Sequence, residues 1–271
     1  PDRGSWRYVD VVGATLPSAV SHTVFRYGTG PVLWVRSPNV TVTDSVFSQS
    51  RDHGAKVENV DAVFRNCEFV GSQNPDRHDA AGLLLDNTTK DSITVELVDN
   101  SFADNDYAVF VKNPNIDLRN SGNTTDFTNR VNGYRITGRM TTPQTWRTGD
   151  LPFIVSSRLE LGETAAVLVL EPGLTVKMEQ GALIEAVRGL LRSGAEGGAR
   201  VLITSVADDA CSAEIDSGCD TNGDGSLRQP APGDWGAVVI RGSGGFIHRS
   251  VLRYGGTSSS NSLLDLQSTE N

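Results

Sequence analysis

Apolar and polar residues alternate in short runs along this chain, and the runs recur. "VSHTVF" (20–25), "VTDSVF" (42–47) and "FRNCEF" (64–69) fall in register at 22-residue intervals. "LVDNSF" (97–102) continues the pattern after 33 residues, one period plus an 11-residue excursion, and "IHRSVL" (247–252) carries it again. In this alignment large apolar side chains superpose as Val20, Val42, Phe64, Leu97 and Ile247, and as Phe25, Phe47, Phe69, Phe102 and Leu252. Between them runs a small or polar column of Thr23, Ser45, Cys67, Asn100 and Ser250. Columns of like residues are what stacked coils need, because each side chain packs on its equivalent about 4.8 Å away. Such a period is too short for a helix-turn-helix repeat. It fits an all-β fold, one coil of a parallel β-helix with three short strands and Gly, Asn or Asp at the corners. Cys67 is then an interior stacking residue. The excursion, near 71–85 and containing "NPDRHDAAG", is expected to leave the coil as a protruding loop.

A longer repeat lies over the short one. "SWRYVDVVGATLPSAVSHTVFRYG" at the start is similar to "DWGAVVIRGSGGFIHRSVLRYGG" at 234–256, with Trp6 answering Trp235 and Tyr27 answering Tyr254. This divides the chain into coils closing one module, 1–130, and a continuous second module, 131–271, with an Asp-rich loop at 206–234. Between them, "VLVLEPGLTVKM" alternates at period two and is broken by Pro172 and Gly173. "ALIEAVRGLLRSG" fits a helical face as well as a strand face. It is read as strands, because Gly181, Gly189 and Gly194 cut it into lengths suited to coil edges.

Taken together, "TWRTGDLPFIV", "LEPGLTVKM", the "ADD" to "DTNGDGS" loop, "PAPGDWGAVVI" and "HRSVLRYGG" resemble, in that order, the bacterial right-handed parallel β-helix repeat proteins. The resemblance covers most of 131–256. It departs from the usual pattern at "GDWGAVV", where such modules read "GDWGGI", and in the less glycine-rich "GALIEAVRGLL". It implies a right-handed solenoid and a secreted or cell-surface location. It implies little about activity, because fold does not fix chemistry.

Composition narrows the partners. A net charge of −9 and a pI near 4.9 repel nucleic acid and anionic membranes. No apolar run is long enough to span a bilayer. The start "PDRGSW" has neither initiator Met nor signal pattern and reads as part of a longer polypeptide, with neighbouring β-helix modules as partners. Cys211 and Cys219 stand eight apart in one polar segment. As a disulfide they would close a short loop worth about 2 to 3 kcal/mol and point to an oxidising compartment; the alternative is two free thiols.

The most specific chemical signal is "DTNGDGS" (220–226). Asp220, Asn222, Asp224 and Ser226 occupy alternate positions around a bend at Gly225, the first half of an EF-hand-type Ca²⁺ loop. Position 12 would be Ala231 rather than Glu, so further oxygens must come from Asp208, Asp209, Glu214, Asp216 or Asp234. Of these, Asp209 and Asp216 complete the favoured set. An ion-free loop of Asx turns is the alternative. The expected role of calcium is structural: with the disulfide it would pin a loop too long to be held by its own apolar side chains.

A rival reading is a polysaccharide lyase or hydrolase. "RDH" (Arg51, Asp52, His53) and "DRHD" (Arg77, His78, Asp79) place acids, bases and cations together, with Asp44, Lys56 and Glu58 on neighbouring coils. Polar residues at coil corners are more commonly solvated turns. A third reading is a lectin-like module using Trp6, Trp34, Trp146 and Trp235 to stack sugars, but the recurrence of Trp6 and Trp235 at equivalent positions favours packing. The preferred expectation is a non-catalytic extracellular segment, a scaffold or adhesive surface contacting a glycan or surface protein.

Overall fold

The structure is a computed structural model describing residues 4–89, 91–241, 244–256 and 262–267. The chain is all-β, a solenoid of stacked parallel strands with about ten turns at a spacing of about 24 residues. Its contacts group into two units. One comprises Pro1–Lys112, Ile116–Arg135 and Gly149–Leu151; the other comprises Asn113–Asn115, Ile136–Thr148 and Pro152–Asn271.

In the first unit three parallel sheets rise side by side. One stacks Val9–Val11, Leu33–Val35, Ala55–Glu58, Ala81–Asp86 and Tyr107–Lys112. The second stacks Ser18–Ser21, Val40–Thr43, Ala62–Arg65, Ile93–Val98 and Ile116–Ser121. The third stacks Val24–Arg26, Val46–Ser48, Glu68–Val70, Ser101–Ala103 and Thr124–Thr125. Val20, Val42, Phe64 and Leu97 are successive register partners, as expected. So are Phe25, Phe47, Phe69 and Phe102, whose rings lie nearly parallel with centroids 5.2, 4.8 and 5.0 Å apart. Those spacings follow the strand separation, so one ring per coil builds an unbroken aromatic file.

Corners recur as strictly as strands. His22, Asp44, Asn66 and Asp99 all take a left-handed φ of 50–54°, and Gly122 continues the column at 68°. A single left-handed residue turns the chain between two strands, and Asn and Asp tolerate it best among side-chain-bearing residues.

Two buried amide ladders lock the coils together. In one, Asn100 Oδ1 accepts from Cys67 N (3.0 Å), while Asn123 Oδ1 accepts from Asn100 N (3.1 Å) and from Asn100 Nδ2 (2.9 Å). Asp150 closes this ladder, accepting from Asn123 Nδ2 and Asn120 Nδ2 (2.6 Å each) and from Tyr134 Oη (3.0 Å). Burial, reinforced by that carboxylate, raises the Tyr134 hydroxyl well above its ordinary pKa, keeping it a donor. The second ladder runs Ser72, Asn105 and Asn129. Asn105 Oδ1 accepts from Ser72 N (2.9 Å), and Asn105 Nδ2 donates to Phe69 O (3.0 Å) and Asn129 Oδ1 (2.8 Å).

The excursion divides in two. Ala55 pairs with Leu33 at a step of 22 residues, whereas Leu83 pairs with Ala55 at 28, six more. Val95 pairs with Ala62 at 33, so five further residues enter after Ala81–Asp86. The protruding segment is therefore narrower than the 71–85 expected from sequence. Residues 71–80 lie outside the strands, and Ala81–Asp86 is a strand buried on both faces.

In the second unit, Phe153–Leu161 forks, pairing with Thr175–Met178 through its first half and with Leu183–Ala186 through its second. Each arm is extended: Thr175–Met178 by Val201–Ser205 and Ser250–Leu252, Leu183–Ala186 by Val238–Arg241 and Leu264–Gln267. A fourth sheet stacks Gln144–Trp146, Val167–Leu170, Leu190–Ser193 and Phe246–Ile247. The ambiguous 182–194 segment is thus two strands. Gly189 leaves no room for a side chain, since a Cβ there would lie 2.4 Å from Ala166 O.

The long repeat is visible in local geometry. Trp6 bridges Gly28 and Trp235 bridges Gly255; Trp6 Nε1 donates to Arg26 O and Trp235 Nε1 to Arg253 O; Tyr27 and Tyr254 share a φ of 66°.

Candidate functional site

The 206–234 loop folds back over the strands Thr175–Met178 and Val201–Ser205, and its anchor is a lysine the sequence reading passed over. Lys177 is 0 % exposed, and its Nζ donates to Asp208 O and, at 2.7 Å, to Ala210 O. Burial lowers this ammonium from an ordinary value near 10.5 to about 8, against the opposing pull of Asp208 and Asp209 and with Arg253 adding to the depression. Neighbouring side chains complete the seat. Thr175 Oγ1 donates to Cys211 O (2.7 Å), Thr204 Oγ1 donates to Asp208 Oδ2, and Ser205 Oγ donates to Asp234 Oδ2 (2.7 Å). Arg253 reaches Asp208 at 2.9 Å and Asp216 at 3.1 Å. Cys211 and Cys219 form the disulfide, with Cα atoms 5.1 Å apart.

The candidate calcium residues fall into two places. Asp220 accepts from Asp224 N (3.1 Å) and Gly225 N (2.8 Å), Asn222 Nδ2 donates to Asp224 Oδ2 (2.8 Å), and Ser226 Oγ donates to Asp209 Oδ2. These residues are linked around the bend. Asp216, by contrast, lies on Arg253 with its side chain 78 % exposed. Asp209 Oδ1 and Asn222 Oδ1 are buried acceptor oxygens with no hydrogen-bond partner among the described residues. Among the described residues no three His, Cys, Asp or Glu side chains form a metal-holding group.

The second candidate cluster does converge. Arg51 Nη2 lies 3.4 Å from Asp76 Oδ2, joining the 49–54 corner to the 71–80 loop. His53 is almost enclosed; its Nδ1 accepts from Ala81 N (3.0 Å) and its Nε2 lies 3.3 Å from Asp52 Oδ1. Burial lowers the His53 pKa below its ordinary value; Asp52 and Asp79 oppose this, and Lys56 and Arg77 add to it. Arg77 Nε lies 3.5 Å from Asp79 Oδ1, and His78 Nδ1 lies 3.8 Å from Asp106 Oδ1. Asp106 Oδ2 accepts from Asn74 N (2.9 Å) and Ala80 N (3.1 Å), fastening both ends of the loop. Lys56 Nζ is 2.5 Å from Glu58 and 3.7 Å from Asp86. Asp44 stands at a different corner, between Val40–Thr43 and Val46–Ser48, where a hydrogen bond from Asn66 chiefly lowers its pKa. Chemically, an imidazole with both nitrogens engaged has no lone pair left for a substrate proton.

Each tryptophan is committed locally. Trp146 stacks on Phe153 at 4.7 Å, and Trp34 carries Arg36 at 4.4 Å and Lys56 at 4.9 Å over its ring. Trp6 and Trp235 make the backbone bridges described above.

Compared with known proteins, the chain matches no family model, no curated protein and no solved structure at a significant level. Among the described residues no helix is long and apolar enough to cross a membrane.

Proposed function

We propose that this chain is a non-catalytic, extracellular β-solenoid segment that serves as a scaffold or adhesive surface, presenting the 71–80 and 206–234 loops to a glycan or surface protein. The observation that carries this reading is the commitment of the coil's polar groups beneath both loops: His53, Asp106, Lys177 and Arg253 spend hydrogen bonds holding loop to coil. The disulfide supports an oxidising compartment. A screen for glycan depolymerisation with calcium present is expected to show no cleavage.

A glycan-processing enzyme is the second reading, favoured by the meeting of Arg51, Asp52 and His53 with Asp76 and its neighbours. Cleavage abolished by Asp79→Ala or His78→Ala would replace the scaffold reading with this one. Binding on a glycan array without cleavage would favour the lectin-like reading.

Calcium belongs to the proposal as a structural ion on Asp209, Asp220, Asn222, Asp224 and Ser226. The two buried, unpartnered oxygens of Asp209 and Asn222 support it, since an acceptor shut away from both water and donors is costly unless a cation meets it. Bound there, the ion would supply charge neutralisation and loop order. Adding a chelator is expected to speed limited proteolysis within 206–234, whereas identical cleavage with and without chelator would remove calcium from the proposal.

A further inference from the structure

Where the lengthened coil rejoins the sheet, one backbone contact is replaced by a side chain. The His53 carbonyl is taken by Val32 N (3.2 Å), and Gly54 N donates to Ala81 O (2.9 Å). The amide of Ala81, first residue of its strand, donates instead to the imidazole Nδ1 of His53 at 3.0 Å. With Nδ1 accepting, the ring proton sits on Nε2, which faces Asp52 Oδ1 at 3.3 Å. A second proton would convert Nδ1 from acceptor to donor and set two N–H groups against each other, a contact that cannot persist.

We propose that His53 is an acid-sensitive latch: protonation of its imidazole unfastens the 71–80 loop and the start of strand Ala81–Asp86 from the corner at 49–54. The charged groups facing the ring are Asp52 and Asp79, which favour its cation, and Lys56 and Arg77, which oppose it. Burial outweighs them and keeps the ring neutral at neutral pH. The sign follows from linkage. A histidine whose folded pKa is depressed contributes stability that is complete above its unfolded value of about 6.5 and is lost as pH falls below it, because the opened chain takes up the proton first. The neighbouring His78 is exposed, with Nδ1 3.8 Å from Asp106 Oδ1, and makes no contact with the Ala81 amide that His53 holds.

The test is amide hydrogen exchange of the intact chain at about pH 7.5 and about pH 5, with intrinsic rates divided out, where each pH unit over which the opened segment holds one more proton than the closed one shifts the opening equilibrium roughly tenfold. Protection at Ala81 and across 72–80 is expected to drop about tenfold or more at the lower pH, while the Phe47 and Phe69 amides stay unchanged. His53→Gln, which keeps an acceptor oxygen but does not titrate, should flatten the response; His53→Ala should leave the segment open at both pH values. Constant Ala81 protection in the wild-type chain, or the same drop in His53→Gln, would overturn the latch. Should the variants fold poorly, an NMR titration of wild-type His53 decides: ring protonation without a shift of the Ala81 amide resonance also overturns it.

Discussion

Asn105→Leu is expected to lower the unfolding free energy by about 2 to 6 kcal/mol, although the replacement keeps the branching of Asn and is more apolar. The loss comes from the groups left behind. Ser72 N, which donates to the Asn105 amide at 2.9 Å, would be stranded in a dry interior, and Phe69 O would lose the bond it accepts from that amide at 3.0 Å, each at a cost of about 1 to 3 kcal/mol. Asn129 would lose one of its donors as well. Because a solenoid coil contacts only its neighbours, the damage should concentrate in the coils on either side. Urea unfolding followed by circular dichroism measures the total, and hydrogen exchange at Ser72 and Asp106 locates it. A loss under about 1 kcal/mol would mean that the ladder contributes register and not stability.

Phe47→Ala should cost about 3 to 5 kcal/mol, the range for emptying a large aromatic site in a packed core. Phe47 is fully buried between Phe25 at 5.2 Å and Phe69 at 4.8 Å, with Phe64 edge-on at 6.4 Å. Its two stacked neighbours belong to adjacent coils and are held by their own ladders, so the gap has little freedom to close. Phe47→Leu, which refills most of the volume, should recover more than half of the loss. Equal destabilisation by the two variants would show that ring stacking, not volume, holds the file.

The stacking columns were legible without coordinates because a solenoid writes its contacts into its period. Val20, Val42, Phe64 and Leu97 look alike for the reason that each rests on the next. The left-handed corner at His22, Asp44, Asn66 and Asp99 obeys the same period, and there the backbone requirement selects Asn and Asp. Half of one ladder, Cys67 and Asn100, stood in the aligned polar column. The other, Ser72, Asn105 and Asn129, did not stand out, because a buried asparagine and a solvated turn asparagine are the same letter.

Beyond the Cys211–Cys219 disulfide, what fastens the loops to the coils was not legible. Lys177 sits in an apolar alternation, and its partners Asp208 and Ala210 are more than 30 residues away, at no multiple of the coil. His53 looked like one member of a possible catalytic set; only its Nδ1 on Ala81 N reveals a strut. By itself the sequence determined fold class, register and the identity of the core files, since those depend on neighbours that repeat. Tertiary structure alone decided where the excursion splits, what holds the loops down and which polar groups are already spent, because those contacts are made once and leave no periodic trace.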